Sequence, residues 1–431
     1  MVEVDDGCQY ILPHHLTLCL IILLSYRAGG TISILDTISR QQERAFARRT
    51  ITSSDQKRWP GLTLDGAGNL EAGRAFIGPT EAESLPLKFK HLVFKGDLNR
   101  LYYRTFALSP DSTLFAAPSL STTILVWRLP DALLVQQLHQ HGHTGQISCI
   151  TFSPDNLTLV SGSDDDTAII CDIRSGRALQ RLIGHRDELW SVAYSPDGLL
   201  VATGSFDSSV KIWDASSGAC LHSLDVGSPA YNIMFSIDGS RFAVSAYETN
   251  SLYGLHSHTP RLLRSERKHG GDLRGAMAMS PQGDRIIAVN GRKAEIWSTI
   301  AGEQPLDLNE HTADVTCVAF SPDGAEVATG SADHSVVVCD SRTGQRRYVQ
   351  EMASDVMSVA YSPNGDFIAM GDGTGRVRIC EAKSGIFIAD LDGHTDVVRT
   401  LWFTADSRSL LSYSNDVTVR MWSVHDVMRI R

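Results

Sequence analysis

Histidine, a hydroxyl residue and aspartate recur together four times in this chain at one spacing. The sets are His143, Ser161 and Asp165; His185, Thr203 and Asp207; His311, Thr329 and Asp333; and His394, Ser412 and Asp416. These are the residue types of a hydrolytic triad, in which an imidazole takes the proton of a hydroxyl nucleophile while a carboxylate orients the ring. A catalytic triad is needed once, with its nucleophile open to substrate. Four copies at one spacing are what a structural network predicts. His139, His141 and His143 (HQHGH) could be read as a metal cluster, yet no cysteine or acid stands nearby at ligand spacing. The run Asp164-Asp165-Asp166 lacks the spacing of an EF-hand loop and reads as a turn. With no G-x-x-x-x-G-K-[ST] phosphate loop either, no catalytic residue, metal or cofactor is expected.

The elements that must position these residues are set by a longer rhythm. A turn written Ser-Pro-Asp-Gly, or a close variant, falls at Ser109, Ser153, Ser195, Ser236, Ser280, Ser321, Ser362 and Thr404, at intervals of 44, 42, 41, 44, 41, 41 and 42. About 18 residues after each turn comes a second mark, at Trp127, Cys171, Trp213, Leu255, Trp297, Cys339, Cys380 and Trp422. A fixed period of this length marks one supersecondary unit that cannot bury its own apolar face and must stack on its neighbours. In the third unit ELWSVAY (188–194), LLVATG (199–204), SSVKIW (208–213) and ACLHSL (219–224) read as four short strands, the first two joined by Ser195-Pro196-Asp197-Gly198. Four antiparallel strands per unit, eight units and no helix-period segment between them describe an all-β, eight-bladed β-propeller, with seven blades as the alternative.

Composition narrows the function classes. The 431 residues carry a net charge of −10, so the surface as a whole repels phosphate backbones and no nucleic-acid partner is expected. Cys149 and Cys317 occupy one repeat position, and Cys171, Cys339 and Cys380 another. Equivalent positions lie in different blades, too far apart to bridge. Cys149 and Cys171 would sit about 9–10 Å apart, with a strand between them. The cysteines read as small buried apolar residues of a reducing compartment, and the protein as cytoplasmic, with the nucleus a second possibility.

Residues 1–84 read as an extension. The apolar run 16–26 (LTLCLIILLSY) is too short to span a bilayer, and no Lys or Arg precedes it as a signal peptide requires. Residues 31–49 form an amphipathic helical pattern, and 50–84 a linker. Residues 85–431 are assigned to the propeller, with repeats over 98–431. LKFKHLVF (87–94) reads as a strand just where a fourth strand precedes the first unit. Only nine residues follow Trp422, which leaves room for a stub of a fourth strand around 428–431. Strand 87–94 is therefore expected to supply the outer strand of the last blade and close the ring, leaving no open edge.

Gly142-His143, Gly184-His185 and Gly393-His394 open units, and Trp213-Asp214 closes a third strand. In these marks the chain resembles the WD-repeat family over about three quarters of its length, and resembles in particular the regular arrays attached to NTPase signalling proteins in fungi and bacteria. The resemblance implies a ring of blades around a channel, used as a platform for partners. It also implies an intrablade tetrad: His185, Thr203, Asp207 and Trp213 in the third unit, and His394, Ser412, Asp416 and Trp422 in the last. His143, Ser161 and Asp165 have Cys171 at the Trp position, and His311, Thr329 and Asp333 have Cys339. Units one, four, five and seven lack most of the tetrad and are expected to be less stable.

In such proteins the residues three and five positions after the opening His, and the one before the turn Asp, point to the partner-binding face. That set reads here as Tyr102, Arg104, Gln146, Asp164, Glu188, Trp190, Phe206, Tyr231, Arg274, Asp314, Asp355, Met357, Arg399 and Asn415. Three aromatics beside an acidic rim imply a protein or peptide partner with Lys or Arg beside an apolar anchor. The reading is a non-enzymatic interaction scaffold. The alternatives are an enzyme with a metal or cofactor in the channel, or a membrane-tethered adaptor. The enzyme alternative needs ionisable residues on the first strands at the channel, where Ala193, Ala319 and Ala360 are expected instead.

Overall fold

The computed structural model describes residues 91–95 and 106–424, apart from 119–121, 130, 132, 139–141, 269–275 and 300–302. The chain divides into two units, 1–87 and 88–431. The apolar run, the amphipathic segment, the linker and the C-terminal stub lie outside the described residues, as do Tyr102, Arg104, His139, His141 and Arg274.

Eight four-stranded antiparallel sheets follow one another along the chain. In blade three the strands are Leu189–Tyr194, Leu200–Ser205, Ser209–Asp214 and Cys220–Asp225, within a residue or so of the boundaries read from the sequence. The hairpin between the first two shows why the turn is written as it is. Gly198 adopts φ 73° and donates to the Ser195 carbonyl at 2.9 Å, while Ser195 Oγ accepts from Leu200 N at 2.9 Å and Asp197 Oδ1 from Leu199 N at 3.0 Å. The side chains thus satisfy the backbone donors that the tight turn exposes.

The core lies between blades, not within them. Side chains of a strand alternate faces, so each sheet offers one apolar set to each neighbour. Val201 and Trp213 pack with Val160, Ala168, Ile170 and Leu182 of blade two, whereas Leu200, Ala202, Val210 and Ile212 pack with Ala230, Phe242 and Val244 of blade four. Eight buried clusters occupy the eight seams, including one that joins Phe115 and Trp127 of blade one to Leu411, Tyr413 and Val419 of blade eight. The array therefore closes on itself.

Closure has two further components. His91–Lys95 pairs antiparallel with Thr418–Ser423, from His91 opposite Trp422 to Lys95 opposite Thr418, and is the fourth strand of blade eight. At the far end of the inner strands successive turns touch. Asp111 N donates to Asn156 Oδ1 at 3.5 Å, Gln282 Nε2 to the Asp323 carbonyl at 2.9 Å and Asn364 N to Ser407 Oγ at 3.1 Å. Ala405 N donates to Ser112 Oγ at 2.8 Å, joining the last turn to the first.

The fourth repeat, which lacks a recognisable mark near Leu255, forms a complete blade with the longest outer hairpin, Thr249–His256 with Thr259–Arg267. Ser257 and His258 make a two-residue turn, both with positive φ. Strand pairing there replaces the missing polar network. Blade five has short first and last strands, Met277–Met279 and Leu306–Leu308. Among the described residues the seam between blades four and five has the smallest buried cluster, Ala243, Leu252, Met277 and Ile286.

Candidate functional site

The four His–hydroxyl–Asp sets close into hydrogen-bonded chains inside their blades. His185 Nδ1 lies 2.9 Å from Asp207 Oδ2 and its Nε2 lies 2.7 Å from Thr203 Oγ1, which accepts from Trp213 Nε1 at 2.8 Å. A carboxylate only accepts and an indole only donates, so the direction is fixed: Trp213 to Thr203, Thr203 to His185 Nε2, and His185 Nδ1 to Asp207. His394, Ser412, Asp416 and Trp422 repeat this at 2.9, 2.7 and 2.8 Å. His143 reaches Asp165 at 3.0 Å and Ser161 at 2.9 Å, and His311 reaches Asp333 at 3.0 Å and Thr329 at 2.8 Å. In these two blades Cys171 and Cys339 fill the indole's place, and burial pushes their thiols up to about 12 and about 11.

A fifth member escaped sequence reasoning although its spacing is legible: a hydroxyl two residues after each Asp. Thr167, Ser209, Ser335 and Thr418 each donate to that carboxylate at 2.6 Å. Burial pushes the Asp165, Asp207 and Asp333 carboxyls up. Hydrogen bonds from these hydroxyls, from backbone N–H groups and from the histidines outweigh it and bring each to about 2. Asp416 is lowered by the same balance. Burial drives His143 and His185 towards the neutral ring, partly offset by their aspartates. Ser161, Thr203 and Ser412 are wholly buried, so none can meet a substrate. Their geometry anchors the loop that leads into each first strand: the same aspartates accept from Thr144, Arg186, Thr312 and Thr395 N at 2.8–3.1 Å.

Blade seven carries its aspartate elsewhere, and its bonds stay within the turn between the second and third strands. Asp372, fully buried, accepts from Thr374 N at 2.9 Å and Thr374 Oγ1 at 2.6 Å, two positions ahead of where an Asp was expected.

The anchored loops deliver a ring of residues to the channel mouth. Each of six first strands carries a β-bulge whose extra residue is Ser148, Trp190, Tyr231, Thr316, Met357 or Arg399. A bulge re-aims one side chain out of the ladder: Trp190, Met357 and Arg399 are part-exposed there, whereas Ser148, Tyr231 and Thr316 are buried. Trp190 Nε1 donates to Glu188 Oε2 at 3.2 Å, and its ring lies 6.1 Å from Phe206 and 5.2 Å from Tyr231. Tyr247 extends the row at 6.3 Å from Tyr231. It occupies the Phe206 position of its blade, donating its N–H to Pro229 O as Phe206 does to Glu188 O. Sequence reading missed it because the fourth repeat has no turn Asp to count from.

Three expectations need correction. Tyr231 is only 5% exposed, because Trp190 and Tyr247 cover its ring; it supports the surface and does not present one. The acidic rim is not one cluster: Asp164 and Glu188 stand at blades two and three, Asp314 and Asp355 at blades six and seven across the ring, with Asp355 3.3 Å from His334. The channel, about 410 Å³, is lined at matching positions by Ile150, Val192, Ile233, Val318, Val359 and Leu401. Ala193 and Ala360 lie one residue further and pack into seams, since alternation turns them away.

At the acidic end, Asp164 is pushed up to about 6, first by burial and then by Glu188 and Asp165. Its Oδ1 and Gln146 Nε2 are buried without a partner among the described residues. Arg399 Nε donates to Asn415 Oδ1 at 2.9 Å, so these two brace each other within blade eight. Among the described residues no group of three or more His, Cys, Asp or Glu is placed to hold a metal, and no helix is long and apolar enough to cross a membrane.

Comparison with known proteins adds an independent view. The family described as "WD domain, G-beta repeat" matches residues 134–172, 176–214, 302–340, 346–380 and 385–423. Protein groucho of Drosophila melanogaster is 41% identical over 75 residues, 17% of this chain and 10% of that protein. A guanine nucleotide-binding protein subunit beta of Oryza sativa subsp. japonica is 35% identical over 72 residues, 17% of this chain and 19% of that protein. Periodic tryptophan protein 2 of Arabidopsis thaliana is 24% identical over 228 residues, 52% of this chain and 25% of that protein. The chain thus matches a quarter or less of the length of these relatives. The crystal structure of the computationally designed Ika8 protein superposes with a TM-score of 0.64 at 24% identity, covering 76% of this chain and 98% of that one, a likeness of fold.

Proposed function

On the premise that this chain belongs to the WD-repeat β-propeller family, we propose that it is a non-enzymatic interaction scaffold whose channel mouth over blades two to four holds a protein or peptide partner. One observation carries the reading. Trp190 is re-aimed by a bulge, oriented by Glu188 and buttressed by Tyr231, which is effort spent on holding an aromatic at a surface. Phe206 and Tyr247, 44% and 36% exposed, leave the row open to a partner. Beside it, Asp164 and Glu188 favour Lys or Arg, because Asp164 is raised first by burial and then by its carboxylate neighbours, and a cation would offset that repulsion. The partner would set a basic side chain at the seam of blades two and three and an apolar one on the aromatic row. Cys171, Cys339 and Cys380 are buried thiols in no disulfide, which favours a reducing compartment, and we place the protein in the cytoplasm.

The test is affinity capture with wild type, W190A/F206A and Y231F. Exposed anchors of this type contribute about 2 kcal/mol or more each, so the double variant should lose partners by roughly a thousandfold in affinity. Y231F keeps the ring that supports Trp190 and should capture as wild type does. Identical capture by the folded double variant would remove this face from the reading.

A further inference from the structure

The second surface lies at the other end of the inner strands, on the turns. Leu157, Leu199 and Ile237 are 63%, 58% and 69% exposed, among the most exposed large apolar residues described. They belong to consecutive blades, two, three and four. The turn itself does not require them. At the repeat position of Leu157 and Leu199 the other turns carry Thr113, Ser240, Asp284, Ala325, Asp366 and Arg408, and at that of Ile237 they carry Pro or Ala405. All share the same backbone bonds, so these three side chains add nothing to turn geometry.

The turns abut, which makes the residues an arc. A Cβ added to Gly198 would lie 3.8 Å from Pro154, and one added to Gly239 3.5 Å from Pro196. Pro154 of blade two thus borders Gly198, the neighbour of Leu199, and Pro196 of blade three borders Gly239, two residues from Ile237, so the three turns lie side by side. The arc is rimmed by exposed carboxylates. Asp155, Asp197 and Asp238, all exposed, accept from Ser153, Ser195 and Ser236 Oγ at 2.5–2.6 Å, which fixes their position and favours the ionised form. A contiguous apolar strip with a fixed acidic border is an interaction surface of defined charge.

We propose that the turns of blades two to four form a second docking surface, distinct from the channel mouth, for a basic amphipathic segment of a partner protein, its aliphatic side chains on Leu157, Leu199 and Ile237 and its Lys or Arg on the flanking carboxylates. The two faces let one propeller hold two partners at once, or one partner that wraps the rim.

The test titrates full-length protein against two fluorescein-labelled synthetic amphipathic peptides of the same length, one of Leu and Lys and one of Leu and Glu, read by anisotropy. Wild type should bind the Leu/Lys peptide at least tenfold more tightly than the Leu/Glu peptide. L157T/L199S/I237P, which uses residue types the other turns already carry, should lose at least tenfold in affinity with an unchanged circular dichroism spectrum. The same tenfold loss should appear when the three turn changes are made in a W190A/F206A background, where the mouth no longer holds a peptide, which separates the two surfaces. The proposal is overturned by undiminished binding when the turn changes are made in that background, by equal binding of the two peptides, or by no saturable binding of the Leu/Lys peptide.

Discussion

Replacing Thr203 with valine should cost more stability than replacing Thr329, and the difference is set by one indole. Valine has nearly the shape of threonine, so neither change opens a cavity. In blade three the Thr203 hydroxyl serves two buried groups, Trp213 Nε1 at 2.8 Å and His185 Nε2 at 2.7 Å. In blade six Thr329 serves His311 Nε2 at 2.8 Å, and Cys339 stands where an indole would donate. Each buried polar group left without a partner costs about 1–3 kcal/mol. T203V should therefore lose about 2–6 kcal/mol and T329V about 1–3 kcal/mol. S412A, which strands Trp422 Nε1 and His394 Nε2 together, should fall with T203V. Urea unfolding followed by far-UV circular dichroism gives all three against wild type, with equal m values showing that the same transition is compared. A T329V protein as unstable as T203V would refute the directional chain from indole to carboxylate.

Titration, closure and packing supply further checks. Asp164 has its folded pKa raised to about 6, so its contribution is present below pH 4 and lost as pH rises through 6. D164N should accordingly raise the urea midpoint at pH 7.5 and leave it unchanged near pH 4; a variant less stable at pH 7.5 would contradict this. Asp165, Asp207 and Asp333 are lowered to about 2, so the stability they give is present above pH 4 and drains as pH falls towards 2, and the lowered His143 and His185 act in the same direction below about pH 6.5. Wild-type midpoints should hold from pH 7 to 8 and fall on acidification. Deleting residues 85–96 removes the partner of Thr418–Ser423 and should cause aggregation or a lower melting temperature, whereas an unchanged melting curve would show that the ring closes without it. G330A should cost about 1–3 kcal/mol by overpacking, since its Cβ would sit 2.6 Å from Cys317 Sγ and 2.7 Å from Val356 Cγ1; an unaltered midpoint would show a slack seam.

The period, the turn chemistry and the polar sets were legible in the residues because they are local. A Ser-Pro-Asp-Gly turn is fixed by its own φ preferences and hydrogen bonds, and His185, Thr203 and Asp207 keep one spacing because they close within a single blade. Repeat four shows the limit of that logic: its marks are gone, yet Arg241–Ala246 and Thr249–His256 pair as their counterparts do, since flanking blades supply the surface it packs on.

What tertiary structure alone decided lies between blades. Whether Tyr231 presents its ring or hides it depends on Trp190 and Tyr247, which arrive from other strands. That the acids form two separate groups depends on where the ring carries blades six and seven. Which inner-strand residue lines the channel depends on strand register, and a slip of one position exchanges Val192 for Ala193. A repeat states what each unit is, because backbone chemistry acts over a few residues. Only closure of the circle determines which side chains of different units meet, because burial there is shared across the seams.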